Sequence, residues 1–226
     1  MATIYAHTND GYVYHSNSNW ATVRDAGTGS TANSTSTRNA YALRSDVTAS
    51  RGGGSTYHIT RTFMHFDTSG ISSNVQSATL KIYGYVLGTG DIIAIKASGA
   101  ITPLGTADFN SIINWTTGSA DGSGGGDNES NVTKYSNEIA TWNTSGYNDI
   151  TLTSTALADM KNDSAVYICL INYDHDLKDI TPTGTNRNGL YYTNYTGTSR
   201  DPYIDYTLAP TVSDNAVFFG TNFCHL

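Results

Sequence analysis

The sequence predicts an all-β protein: a two-sheet antiparallel β-sandwich, jelly-roll-like, with one short helix and an extended C-terminal arm. Three observations carry this expectation. First, the stretch from Thr60 to Tyr85 alternates with period two. Thr62, Met64 and Phe66 fall on one face and Arg61, Phe63 and His65 on the other; then Ala78, Leu80 and Ile82 point one way and Thr79, Lys81 and Tyr83 the other. Such alternation marks half-buried strands. Second, 22 Gly and 16 Tyr with only 14% charged residues suit many strands joined by polar loops, and the aromatics separate the chain from disordered sequences. Third, helix formers are scarce, and the segment 154–161 is the best helix candidate, with Ser or Thr placed to cap it.

Taken in order, 2–14 alternates around an Asn9-Asp10-Gly11 turn and leads into a strand at Tyr12. Residues 16–20 read as a polar loop, and 26–38, a Gly/Ser/Thr/Asn tract without periodicity, as a long loop. Strands follow at 41–45, 60–67, 77–85 and 91–97, and 107–112 reads as one helical turn. The stretch 115–130, with Gly118, Gly122 and Gly124 to Gly126, is a second long loop. A short strand with Ile150 and Leu152 precedes the helix. The strand at 165–173 is apolar on both faces and so belongs in the middle of a sheet. Strands at 189–193 and 203–208 close the domain, and Pro210 ends it. A chain of 226 residues buries a core without staples. Residues 1–209 therefore form the sandwich domain and 210–226 the arm.

Charge and motifs narrow the partners. A net charge of −7 with 12 scattered Lys and Arg argues against a nucleic-acid partner. No apolar run approaches the ~20 residues of a membrane span, so no membrane partner is expected. The start, Met1-Ala2-Thr3-Ile4-Tyr5, lacks the charged and apolar regions of an export signal. With Met1 at the head of a strand, the expectation is assembly in a host cytoplasm and release in a virion; an extracellular protein is the alternative. Cys169 and Cys224 read as two free thiols, with a bridge between them the other possibility.

No nucleophile elbow, zinc-protease motif, P-loop or dinucleotide fingerprint occurs, and the six His are dispersed. The protein reads as non-enzymatic. Asp174, Asp176 and Asp179 gather hard oxygen ligands in one loop, the setting Ca²⁺ favours; no other cofactor is expected. Glycan binding needs exposed rings beside polar groups, and Trp20, Tyr12, Tyr14 and Trp115 are the candidates. In the arm, Val217, Phe218, Phe219 and Phe223 form an apolar segment among polar residues. It packs either on its own sandwich or on a neighbouring subunit.

The run Thr60-Arg61-Thr62-Phe63-Met64-His65-Phe66-Asp67, followed by Ser77-Ala78-Thr79-Leu80-Lys81-Ile82-Tyr83, resembles the core of DNRLRE-type domains. Asp10-Gly11-Tyr12-Val13, Asp149-Ile150-Thr151-Leu152 with the helix to Lys161, Val166-Tyr167-Ile168, and Ser199-Arg200-Asp201-Pro202-Tyr203-Ile204-Asp205-Tyr206 agree in order, so the resemblance spans about 9–208. The loop 105–137 and everything after Pro210 depart from it. The resemblance implies a sandwich of the kind found in bacterial extracellular proteins, some of them classed as carbohydrate-binding modules. A lone sandwich of this type with a short aromatic tail and no export signal is similar to small structural proteins of tailed bacteriophages. The expected function is that of a virion component (capsid decoration, head fibre or tail-associated) docked through the arm onto other subunits as a homo-oligomer or capsid-bound protein. A carbohydrate-binding module acting on surface glycans and an extracellular filament subunit are the alternatives.

Overall fold

The computed structural model describes residues 1–49, 52–99, 103–117 and 126–210. The arm with Val217, Phe218, Phe219 and Phe223 lies outside these residues, as do Cys224 and most of the glycine-rich loop. The expected β-sandwich is present, and all its strand pairs are antiparallel.

One layer sets β1 (Ala2–Tyr5), β11 (Tyr203–Leu208), β6 (Val75–Gly88) and β8 (Tyr147–Thr151) together. The other holds β3 (Thr31–Asn33), β2 (Gly11–Asn17), β5 (Ser55–Asp67), β9 (Ala165–Asn172) and β7 (Ile92–Lys96). Two further strands, β4 (Arg38–Ala49) and β10 (Arg187–Tyr191), join the layers. The hydrogen bonds run through 11 strands because β5 and β6 change partner along their length. Residues 55–60 of β5 pair with β4, and 62–67 pair with β9. In β6, Lys81 still pairs with β11, whereas Gly84 and Gly88 pair with β10. Glycine is required at that crossing. A Cβ on Gly84 would lie 1.8 Å from the Asn143 carbonyl oxygen, and one on Gly189 1.9 Å from that of Tyr85.

The alternation read from the sequence sets the core. Met64 and Phe66 of β5 meet Leu80 and Ile82 of β6, with Ile168, Leu170 and Ile204, in the space between the layers. The opposite face of β5 is also buried: Ile59 and Phe63 pack with Val13, Ile95, Cys169 and Phe109 in a second apolar cluster beneath the loops. β9 lies between β5 and β7, the central position its apolar run implies. Each fully buried large apolar side chain contributes about 1.5–3 kcal/mol. The expected helix is α2 (Ser154–Asn162), capped by the Thr153 side chain, which accepts the Ala156 N–H; Ala156 and Met160, four residues apart, face the core. No helix among the described residues is long and apolar enough to cross a membrane.

Two loop expectations are corrected. The tract 26–38 contains β3, which pairs with β2 although it has no apolar alternation of its own. Trp20 does not end a polar loop but opens α1 (Trp20–Arg24). The Asn19 side chain caps this helix by accepting the Thr22 N–H, while Trp20 and Val23 are buried. The turn expected near 107–112 is a 3₁₀ turn, Thr106–Asn110, that buries Phe109.

Candidate functional site

Beyond Met64 the inner face of β5 leaves the apolar core and turns polar at Thr62, Thr60 and His58. Register carries this change across three strands. Tyr12 stands opposite Thr62, and Tyr14 opposite Thr60, which in turn faces Arg44 of β4. The result is a cleft of about 240 Å³ lined by Tyr12, Tyr14, Asn39, Tyr41, Arg44 and Thr60, among others. Two of the glycan candidates, Tyr12 and Tyr14, therefore meet in one place. Tyr41, Asn39 and Arg44 complete it and were not singled out by the sequence, because β4 has no clear alternation at 38–43.

The polar side of the cleft is tightly wired. Asp46, fully buried, takes Arg44 Nε on Oδ1 at 2.7 Å and Arg187 Nε on Oδ2. Both guanidiniums lie over the Tyr41 ring, at 5.2 and 5.3 Å from its centroid. Two cations share one carboxylate, so this wall carries net positive charge in an acidic protein. The Tyr14 hydroxyl lies 2.8 Å from His58 Nδ1, and Thr48 Oγ1 lies 2.9 Å from Nε2. Burial first, then the neighbouring Arg44, hold the His58 pKa below its ordinary value. A neutral imidazole with one donating and one accepting nitrogen satisfies both hydroxyls and fixes the Tyr14 ring. The cleft thus offers held ring faces, an amide, a hydroxyl and a guanidinium, the groups that grip a hydroxyl-rich ligand.

The remaining candidates do other work. Trp20 is 7% exposed; its Nε1 donates to Asp179 at 2.8 Å and its ring meets Tyr57 edge-on at 5.9 Å. Trp115 lies beside the guanidiniums of Arg24 and Arg61, at 4.9 and 4.4 Å from its ring centroid. Neither tryptophan enters the Tyr12–Tyr14 cleft. The three carboxylates expected to favour Ca²⁺ each have a partner within the chain. Asp176 points inward to the Arg61 guanidinium, Asp179 serves Trp20 and lies 3.5 Å from Arg24, and Asp174 pairs with Lys178 at 3.5 Å. No three acidic, His or Cys side chains among the described residues are placed to hold a metal ion. Asp174 and Asp176 sit in the π-helical turn Tyr173–Leu177, and Asp179 lies beyond its C-cap Lys178. Cys169 is a buried free thiol whose pKa burial pushes up.

One feature escaped the sequence reading altogether. On the outer face of the β1–β11–β6–β8 layer, tyrosines form an unbroken row. Tyr5 touches Tyr203 at a centroid distance of 5.6 Å, Tyr203 touches Tyr147 at 5.1 Å, and Tyr147 touches Tyr83 at 5.1 Å. Tyr83 continues to Tyr191 at 5.6 Å, which meets Tyr85 at 5.2 Å and Tyr195 at 4.9 Å. Most neighbours stand edge to face, the favoured aromatic geometry. The available signal was the number of tyrosines and their outward parity at 83, 85 and 203. The row itself is assembled from distant strands.

No family model matches the chain, and no curated protein matches it in sequence.

Proposed function

We propose that the protein is a non-enzymatic structural and interaction protein, a component of a bacteriophage virion, that contacts surface glycans through the Tyr12–Tyr14–Tyr41–Arg44 cleft. The observation that supports the glycan contact is the cleft itself: tyrosine rings held by hydrogen bonds and cation–π contacts beside Asn39, Thr60 and Arg44. The virion assignment draws on the resemblance of 9–208 to DNRLRE-type sandwiches and of the whole chain to small phage structural proteins. Docking onto the particle falls to the arm, 210–226, with its Val217-Phe218-Phe219 segment.

A glycan array probed with wild type and with Tyr14→Ala and Arg44→Ala tests the contact. Each variant is expected to lose at least about tenfold in affinity, the ~1.4 kcal/mol of one good contact. Wild-type binding unchanged in Tyr14→Ala, or no glycan bound at all, would sink it. For the particle, a chain ending at residue 209 is expected to fail to co-purify with virions that retain the full-length protein; retention of the truncated chain would remove the arm from the assignment.

A further inference from the structure

We infer that the tyrosine row on the outer face of β1, β11, β6 and β8 is a second glycan-binding surface, built for a neutral linear polysaccharide lying along it from Tyr5 towards Tyr195. The inference rests on the glycan reading of the cleft and adds a separate face with a different kind of ligand.

The chemistry of the face selects the occupant. Outward positions on β11, β8 and β6 up to Tyr85 alternate with buried Leu80, Ile82, Ile150 and Ile204. They hold Ser, Thr, Tyr, Lys and Asp, and the exposed aliphatic side chains of these strands, Leu208 and Val86, lie towards the strand ends. A protein partner's contact needs an apolar centre to dehydrate, and the middle of this face offers only hydroxylated rings. A sugar chain matches it, with C–H faces for the rings and hydroxyls for Thr, Ser and the phenols.

Charge points the same way. In the middle of the face one ion pair and one hydrogen-bonded carboxylate are already engaged. Lys81 Nζ is 2.6 Å from Asp149 Oδ2, and Asp205 accepts the Thr3 hydroxyl at 2.5 Å. A neutral chain disturbs neither pair.

The row is held before any ligand arrives. The Tyr83 hydroxyl donates to the Ser145 carbonyl at 2.7 Å, and the Tyr147 hydroxyl lies 3.1 Å from the Ser199 carbonyl. Arg200 lies over the rings of Tyr83, Tyr191 and Tyr195 at 5.2, 4.6 and 4.9 Å and donates to the Tyr191 hydroxyl. Side chains fixed in this way lose little entropy when a ligand binds. Tyr5, 47% exposed, marks the open end of the row.

The test is native gel electrophoresis through hydroxyethylcellulose, galactomannan and xylan, with calorimetry on cello-, manno- and xylo-oligosaccharides from disaccharide to hexasaccharide. At least one polymer is expected to retard the protein, with affinity rising about tenfold or more from disaccharide to hexasaccharide as successive rings engage. Tyr203→Ala is expected to lose about tenfold on the polymer, while Tyr203→Phe, which keeps the ring, retains most of the binding. Gly70→Ala, with nothing within 4 Å of the added carbon, is expected to leave polymer retention unchanged. Absence of retardation by all three polymers, affinity independent of chain length, or wild-type retention by Tyr203→Ala would each overturn the inference. Short-oligosaccharide binding that depends on Tyr14 but not on Tyr203 overturns the row and leaves the cleft standing. Polymer binding that depends on Tyr203, with no glycan bound through Tyr14, does the reverse.

Discussion

Arg61 and Asp176 form a two-point ion pair in the interior, Nε to Oδ2 at 2.8 Å and Nη2 to Oδ1 at 2.7 Å, with side chains 0% and 1% exposed. The alternation of β5 puts Arg61 on the same face as Ile59 and Phe63, inside the second apolar cluster. Its other donors are also used: Nη1 reaches the Phe109 carbonyl at 2.8 Å, and Nη2 the Arg24 carbonyl at 3.0 Å. The pair thus ties β5 to the turn after β9, to the 3₁₀ turn and to α1. Removing one partner leaves a buried charge without compensation. Asp176→Asn is therefore expected to cost about 3–5 kcal/mol and to lower Tm by about 10 °C in a chain of this size. Thermal melts would show it, and a shift under about 2 °C would mean that the pair is dispensable. Because Asp176 is committed to Arg61, Ca²⁺ and chelator are expected to leave the wild-type melt unmoved.

Asp10 supplies a pH dependence. It is 1% exposed, and it accepts the Thr193 hydroxyl at 2.6 Å and the Thr193 N–H at 3.1 Å. Burial raises its pKa from 3.8 to about 7, against the lowering effect of the two Thr193 bonds. The folded state therefore holds a proton that the unfolded chain has released. This stabilising contribution is complete below the unfolded pKa near 4 and is lost as pH rises to about 7, a change on the order of 4 kcal/mol. His15, His58 and His65, held below their ordinary pKa chiefly by burial, act in the opposite sense as pH falls below about 6.5, so the comparison must be made against a variant. Relative to wild type, Asp10→Asn is expected to gain stability steadily between about pH 4 and pH 7 in urea melts. A constant difference across that window would show that Asp10 does not titrate there.

Backbone proximity gives a sharper mutational test. A methyl group at Gly189 must displace the Tyr85 carbonyl and with it the pairing of β10 with β6. Gly189→Ala is expected to cost about 2–3 kcal/mol. Gly70→Ala, at a turn with nothing within 4 Å of the added carbon, is expected to change stability by less than about 0.5 kcal/mol. Chemical denaturation of the two variants side by side checks the contrast; equal losses would contradict it.

The cap of α2 is worth a smaller amount. Thr153→Ala removes the side-chain acceptor of the Ala156 N–H and is expected to cost about 1 kcal/mol, whereas Thr153→Asp is expected to retain most of the stability. Hydrogen exchange at the first turn of the helix would rise in the alanine variant alone.

These cases show what could be read in advance. Strands β5, β6 and β9 and helix α2 were legible because their periodicity is local: Met64 and Phe66, or Ala156 and Met160, declare a buried face within a few residues. The parity of Arg61 was equally plain, but its partner lies 115 residues away, and no local rule names it. Trp20 and Trp115, set among polar residues, read equally as ring candidates for a glycan or as loop anchors. Long-range contacts with Asp179 and with the two arginines give both the anchoring role. Of the cleft, Tyr12 and Tyr14 were visible from the strand they share, whereas Tyr41 and Arg44 depend on the register between β4 and β5. The tyrosine row is hidden for the same reason: its members meet only after distant strands have paired.

The change of partner along β5 has a consequence for how the chain is made. Residues 55–60 find β4 just upstream, but 62–67 wait for β9, which is synthesised about 100 residues later. At about 5–20 residues per second, translation leaves the edge holding Phe63, Met64 and Phe66 without its neighbour for roughly 5–20 s. During that interval the nascent chain presents an apolar, unpaired strand edge to its surroundings. Soluble yield should therefore respond to translation speed and to chaperones that shield such edges, and fragments ending before residue 165 should aggregate rather than fold.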